Sequence, residues 1–104
     1  GLNSTSQSIT GDGSTSTAIE ITNAVTEVNA TSAAAPCTLA DGANGQIKTI
    51  INVSTSGTNA VTITPSNFRG FTSATLNAPG ETVTLMFKNS NWNVIGTGGT
   101  VVLA

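Results

Sequence analysis

Residues 81–96 read ETVTLMFKNSNWNVIG, and this stretch decides the fold class. Thr82 to Lys88 alternate strictly, with Val83, Leu85 and Phe87 on one side and Thr82, Thr84, Met86 and Lys88 on the other. A period of two is the signature of a half-buried strand. Asn89-Ser90-Asn91 then breaks the pattern, and Trp92-Asn93-Val94-Ile95-Gly96 resumes it. The expectation is a β-hairpin with Phe87 and Trp92 close across it.

Working outward, the same grammar repeats. To the C-terminal side, GTGG (96–99) reads as a turn and TVVL (100–103) as a last strand. To the N-terminal side, Ala78-Pro79-Gly80 is a turn and Thr75-Leu76-Asn77 a short strand. AVTIT (60–64) places Val61 and Ile63 inward, and Pro65 ends it for want of an N–H. In QIKTIINV (46–53), Ile47, Ile51 and Val53 share a face with Thr49, while Lys48, Ile50 and Asn52 share the other. A strand apolar on both sides predicts a central position or an interface. Asp41-Gly42 and Asn44-Gly45 before it are hairpin signals, because such pairs reach positive φ at little cost. PCTLA (36–40), AVTEVNA (24–30) and AIEIT (18–22) complete the strand candidates, and Thr, Val, Ile and Asn there argue against a helix.

The fold expected is therefore all-β: a mostly antiparallel sandwich, jelly roll or small barrel of about 8–10 short strands. Antiparallel pairing is expected because the connections are too short for crossover helices. No internal repeat is visible. Residues 1–17, GLNSTSQSITGDGSTST, are polar and hold only Leu2 and Ile9 as large apolar side chains. They read as a flexible N-terminal arm that docks on a neighbour, if at all, through Leu2 and Ile9. Residues 18–104 read as a single β domain.

Composition narrows function. The chain has 104 residues, no His, one Cys, three basic and five acidic residues. Its charged fraction of 8% compares with roughly 25% in ordinary soluble domains. General acid–base and Ser–His chemistry lack their usual base. Asp12, Glu20, Glu27, Asp41 and Glu81 fall in the arm, turns or outward strand positions, so no enzyme is expected. No cofactor and no metal are expected either: no EF-hand spacing is present, although Asp12, or Asp41 with Asn44, are the places calcium would choose. Cys37 beside Pro36 reads as a small buried hydrophobe. With so few Lys and Arg, nucleic acid is not an expected partner, and no apolar run is long enough for a membrane helix. No signal peptide is visible at the start of the chain. Large apolar residues are few, which predicts a homo-oligomer that completes its burial at a subunit interface.

One surface feature stands above this background. In SNFRGFTS (66–73), Phe68, Arg69 and Phe71 surround Gly70, and these residue types are enriched at interface centres. The two Phe are expected either to anchor a partner or to fold back as a lid on the core.

The order of the pieces TLADGANGQIKTIINV (38–53), AVTITPSNFRGFTSATLNAPGETVTLMFKNSNWNVIG (60–96) and GTVV (99–102) resembles β domains in structural proteins of tailed bacteriophages. The resemblance covers residues 38–102. It implies a virion location and a role as a capsid decoration (cement) protein, as a trimer on the major capsid protein. The alternative it implies is a tail-fibre or receptor-binding domain that contacts a host glycan or protein. It implies no catalytic residue.

Overall fold

The computed structural model describes residues 6–57 and 59–104. Ten strands run in order: β1 (Ser6–Gly11), β2 (Thr17–Ile19), β3 (Val25–Ala30), β4 (Ala35–Leu39), β5 (Ile47–Asn52), β6 (Val61–Pro65), β7 (Ala74–Leu76), β8 (Thr82–Lys88), β9 (Asn91–Gly98) and β10 (Val102–Leu103). The described residues contain no helix. They form two five-stranded sheets, one in the order β1-β3-β5-β8-β9 and the other β10-β7-β6-β4-β2. The all-β expectation holds, with two sheets packed on a shared core.

The pairing corrects the expectation of mostly antiparallel sheets. β1, β3 and β5 pair in parallel, as do β2, β4 and β6. The chain makes parallel neighbours without a crossover helix because it crosses to the other sheet and back. Ser6 lies beside Val25, and Val25 beside Thr49, with one strand of the opposite sheet between each pair. Each turn of the winding is thus two strands, one per sheet. The motif after β6 is different: β7 pairs antiparallel with β6, β8 with β5, β9 with β8 and β10 with β7. The result is five stacked rungs, β1/β2, β3/β4, β5/β6, β8/β7 and β9/β10.

The polar N-terminal segment is not a free arm over its described part. Ser6–Gly11 is an edge strand, and an edge strand on this winding needs only one side chain in the core. Ile9 supplies it, at 6% exposure, so it packs into the chain's own core and is not available as an anchor on a neighbour. Leu2 lies outside the described residues.

The core lies between the sheets. Val28, Ile50, Val83, Leu85 and Trp92 from one sheet meet Cys37, Leu39, Val61, Ile63 and Leu76 from the other. In β8, Val83, Leu85 and Phe87 face in, as the alternation predicts. The β8–β9 hairpin is also as predicted: Asn89 and Ser90 have φ of 52° and 65°, the two positive values of a two-residue turn whose twist suits the strands. Phe87 pairs with Trp92 across it, ring centroids 5.2 Å apart and nearly edge to face. A bulge follows, since Leu85 opposes Val94 but Thr84 opposes Gly96, leaving Ile95 as the extra residue. GTGG is correspondingly not all turn: β9 runs through Gly98, and the reversal falls at Gly99, φ 82°.

One sequence expectation changes at the entry to β5. The Asp41-Gly42 and Asn44-Gly45 pairs do not close a hairpin, because β4 and β5 belong to different sheets. They turn the corner between sheets, with Gly45 at φ 85° and Gln46 N–H donating to Ala43 O at 2.9 Å. The inward face is Lys48, Ile50 and Asn52, each 0% exposed, and Ile47 is 49% exposed. The strand is central in its sheet, as expected.

Candidate functional site

The loop from Ser66 to Ser73 sits where Pro65 ends β6. Backbone bonds hold it along its length. Ser66 N–H donates to Leu39 O (2.9 Å), Trp92 N–H to Asn67 O (2.9 Å) and Arg69 N–H to Trp92 O (3.0 Å). Phe68 and Trp92 thereby form a parallel bridge. Beyond Gly70, at φ 82°, Thr72 and Ser73 N–H both donate to Ala104 O. Side chains reinforce the clamp. Asn67 Nδ2 donates to both carboxylate oxygens of Asp41 at 2.9 Å. Arg69 Nε donates to Asn93 Oδ1 at 2.8 Å and its Nη2 to Asn89 O at 3.3 Å.

The two Phe differ in burial. Phe68 is half-buried and packs against the core as a lid. Phe71 is 39% exposed, with its ring centroid 5.5 Å from that of Phe68. Beside them lies an open groove of about 450 Å³, lined by Thr64, Asn67, Phe68, Phe71 and Asn91 among others. Thr64 belongs to the outward face of the β10-β7-β6-β4-β2 sheet, so the groove borders that face. The outward residues there are Ala18, Pro36, Thr38, Thr62, Thr64, Thr75 and Val102, and none is charged. Of the site residues expected from sequence, the loop brings together Phe68, Arg69 and Phe71. Ile9 is far away in the fold's first rung. Asn91 and Asn93 are the participants that sequence reading missed; the Phe87–Trp92 hairpin was the available signal.

A second groove, about 350 Å³, is lined by Thr, Ser, Gly and Asp residues at the β1–β2 connection. Asp12 borders it and accepts from Ser14 N–H at 2.9 Å and Ser14 Oγ at 2.5 Å. The Ser14 hydroxyl, more than its amide, holds the Asp12 carboxyl below its usual range. No group of three His, Cys, Asp or Glu assembles among the described residues. Other carboxylates also have local partners: Glu20 Oε2 accepts from Asn23 Nδ2 (2.6 Å), and Glu81 Oε1 from Asn77 N–H (2.7 Å).

Lys48 is the unusual ionisable group. Its strand pairs with β8, where Lys48 lies opposite Leu85, but on the other side it starts two residues before its first β3 partner, Thr49 opposite Val25. The β2–β3 loop fills the place: Lys48 Nζ donates to Glu20 O at 2.7 Å and Asn23 O at 2.5 Å. Gln46 Nε2 donates to Ile21 O in the same loop. Burial pushes the Lys48 amine down to about 8, with Glu20 opposing. Burial pushes the Cys37 thiol the other way, up to about 11 from 9.0.

These two shifts predict the alkaline stability profile. Between pH 8 and 10.5 the unfolded chain holds a Lys48 proton that the fold has released, so raising the pH favours the fold. Between pH 9 and 11 the unfolded chain loses a Cys37 proton that the fold keeps, so raising the pH disfavours it. The urea midpoint should therefore climb from pH 8 to 9 and level off above. Lys48→Met should abolish the climb, and Cys37→Ala should extend it. A Lys48→Met profile identical to the parent's would show the assignment to be wrong.

No protein-family model and no curated protein sequence matches the chain.

Proposed function

We propose that the chain is a non-enzymatic structural protein of a tailed-bacteriophage particle, a capsid decoration protein that oligomerises on the head and reinforces contacts between shell subunits. The observation that carries this reading is Phe71: an exposed aromatic on a loop clamped by backbone bonds, beside a sheet face with no charged residue. Aromatic side chains that are already ordered lose little entropy on docking, which is why they anchor interfaces. The resemblance of residues 38–102 to phage β domains supplies the particle, the trimer and the major capsid protein as partner. The partnered carboxylates and the missing His agree with a role in which binding is the whole function.

The test is a mass measurement in solution together with binding to phage heads stripped of decoration. A trimer that rebinds the heads is expected. Phe71→Ser, a change at an exposed position, should weaken binding by about 2 kcal/mol, the cost of a typical interface anchor, and leave the thermal midpoint unchanged. A monomer that ignores stripped heads would end this reading.

A second reading, a fibre domain that contacts a host glycan, is favoured by the groove itself. Phe68 and Phe71 with Asn67, Asn91 and Thr64 combine ring faces with amides and hydroxyls, the chemistry that holds sugars. A glycan array without signal would count against it.

A further inference from the structure

The two ends of the winding match each other. In the first three rungs the chain passes from the β1-β3-β5 sheet to the opposite one in a constant direction. The fourth rung, β8/β7, runs the opposite way in both sheets. The fifth reverses again, because β9 is antiparallel to β8 and β10 to β7. β9 therefore runs parallel to β1, and β10 parallel to β2. A second copy placed beyond the fifth rung would set its β1 beside β9 and its β2 beside β10, both in the parallel sense that already joins β1 to β3 and β2 to β4.

The edge strands are also free of charge and proline, although β9 carries the Ile95 bulge and the Phe68 loop takes the outward N–H and C=O of Trp92. Proteins usually blunt edge strands with charge or proline. Here no Asp, Glu, Lys, Arg or Pro occurs in β1, β2, β9 or β10. Glu27, Pro36, Lys48, Pro65 and Lys88 all lie in interior strands, the reverse of the usual placement. Moreover, the far edge carries Ile95 at 51% and Val102 at 50% exposure, two of the four exposed large apolar side chains of the described residues.

We infer that copies of this chain associate end to end, the β9/β10 rung of one on the β1/β2 rung of the next, by strand addition in both sheets. The contact is heterologous, so it propagates along one axis. It leaves both outward sheet faces free, and it stands independently of the decoration reading.

Complementary blocking tests it. Ser8→Lys puts a charge at an exposed position on β1, and Ile95→Lys does so on β9. The parent chain should sediment as a series of species that lengthens with concentration. Each variant alone should stay at the unit the parent forms at high dilution. An equimolar mixture should form a species of twice that mass and stop, because one good end of each variant remains. Circular dichroism should show both variants folded; if Ser8→Lys is not, Thr10→Lys at the next exposed position replaces it. A parent that never lengthens overturns the inference. So does Ile95→Lys doubling by itself, which would mean that β1 edges pair with each other.

Discussion

Trp92→Ala is expected to remove about 3–5 kcal/mol from the unfolding free energy, the range for truncating a large buried aromatic. Trp92 is the largest fully buried side chain, at 0% exposure. It joins four segments of the chain. Its ring meets Phe87 edge to face across the hairpin. Its Nε1–H donates to Ala40 O at 2.9 Å, at the corner between β4 and β5. Its backbone clamps the Phe68 loop through Asn67 O and Arg69 N–H. The ring also lies over Gly42, where a Cβ would come within 3.0 Å of it. Set against a typical total of about 5–15 kcal/mol, the loss leaves a marginal fold. Trp92→Phe separates the contributions. It keeps most of the packing but leaves Ala40 O without its donor, and should cost about 1–3 kcal/mol from that alone. Urea unfolding followed by far-ultraviolet circular dichroism measures both. If Ala cost no more than Phe, the cavity argument would be wrong and the hydrogen bond would be the whole effect.

The hairpin around Trp92 was legible in the sequence because two independent signals agree there, strict alternation on both sides and an Asn-Ser turn between. The parallel winding was not. Alternation says which face a residue takes and nothing about which strand lies beside it. The spacing from Ser6 to Val25 also differs from that between Val25 and Thr49, so no constant period betrays the turns of the winding. β1 escaped because composition alone calls for disorder, whereas an edge strand laid on β3 needs only Ile9. In β5 the alternation separates the two faces but does not say which is inward, and Lys and Asn are rarely buried. Backbone carbonyls left over at the ends of neighbouring strands reverse that preference, and they exist only once the winding is formed. The candidate site shows the same division. The closeness of Phe68, Arg69 and Phe71 follows from their spacing. That Phe68 lies on Trp92 while Phe71 stays exposed depends on a bridge between segments distant in sequence.

Asn52 is the residue through which the carbonyl argument can be tested most sharply. It closes β5, and the strands around it stop at nearly the same level: β3 at Ala30 and β7 at Leu76. The ladder cannot satisfy the backbone there. The Asn52 amide does, donating to Asn59 O and to Leu76 O, each at 2.9 Å, while its Oδ1 accepts from Ser54 N–H at 2.9 Å. Ser54 Oγ extends the network by accepting from Ala30 N–H at 3.1 Å, and Asn59 Nδ2 donates to Ala30 O at 2.9 Å. No buried side-chain polar atom of the described residues lacks a partner. Asn52→Leu keeps the branched shape and removes the three bonds of the amide, taking a donor from Leu76 O and the acceptor from Ser54 N–H, while Asn59 O keeps Ser54 Oγ at 3.3 Å. At about 1–3 kcal/mol for each orphaned group, the variant should lose about 2 kcal/mol or more, although a more apolar side chain has entered a buried site. Asn52→Asp is isosteric and more informative. Its carboxylate would face two carbonyl oxygens in a site closed to water, so its pKa in the fold must rise well above the ordinary value of about 3.9. The charged form disfavours the fold, and protonation restores one donor. The deficit relative to the parent should therefore be large at pH 7 and shrink as the pH falls through the raised pKa. A deficit for Asn52→Asp that did not change with pH would show that the amide's donors are not what the site requires.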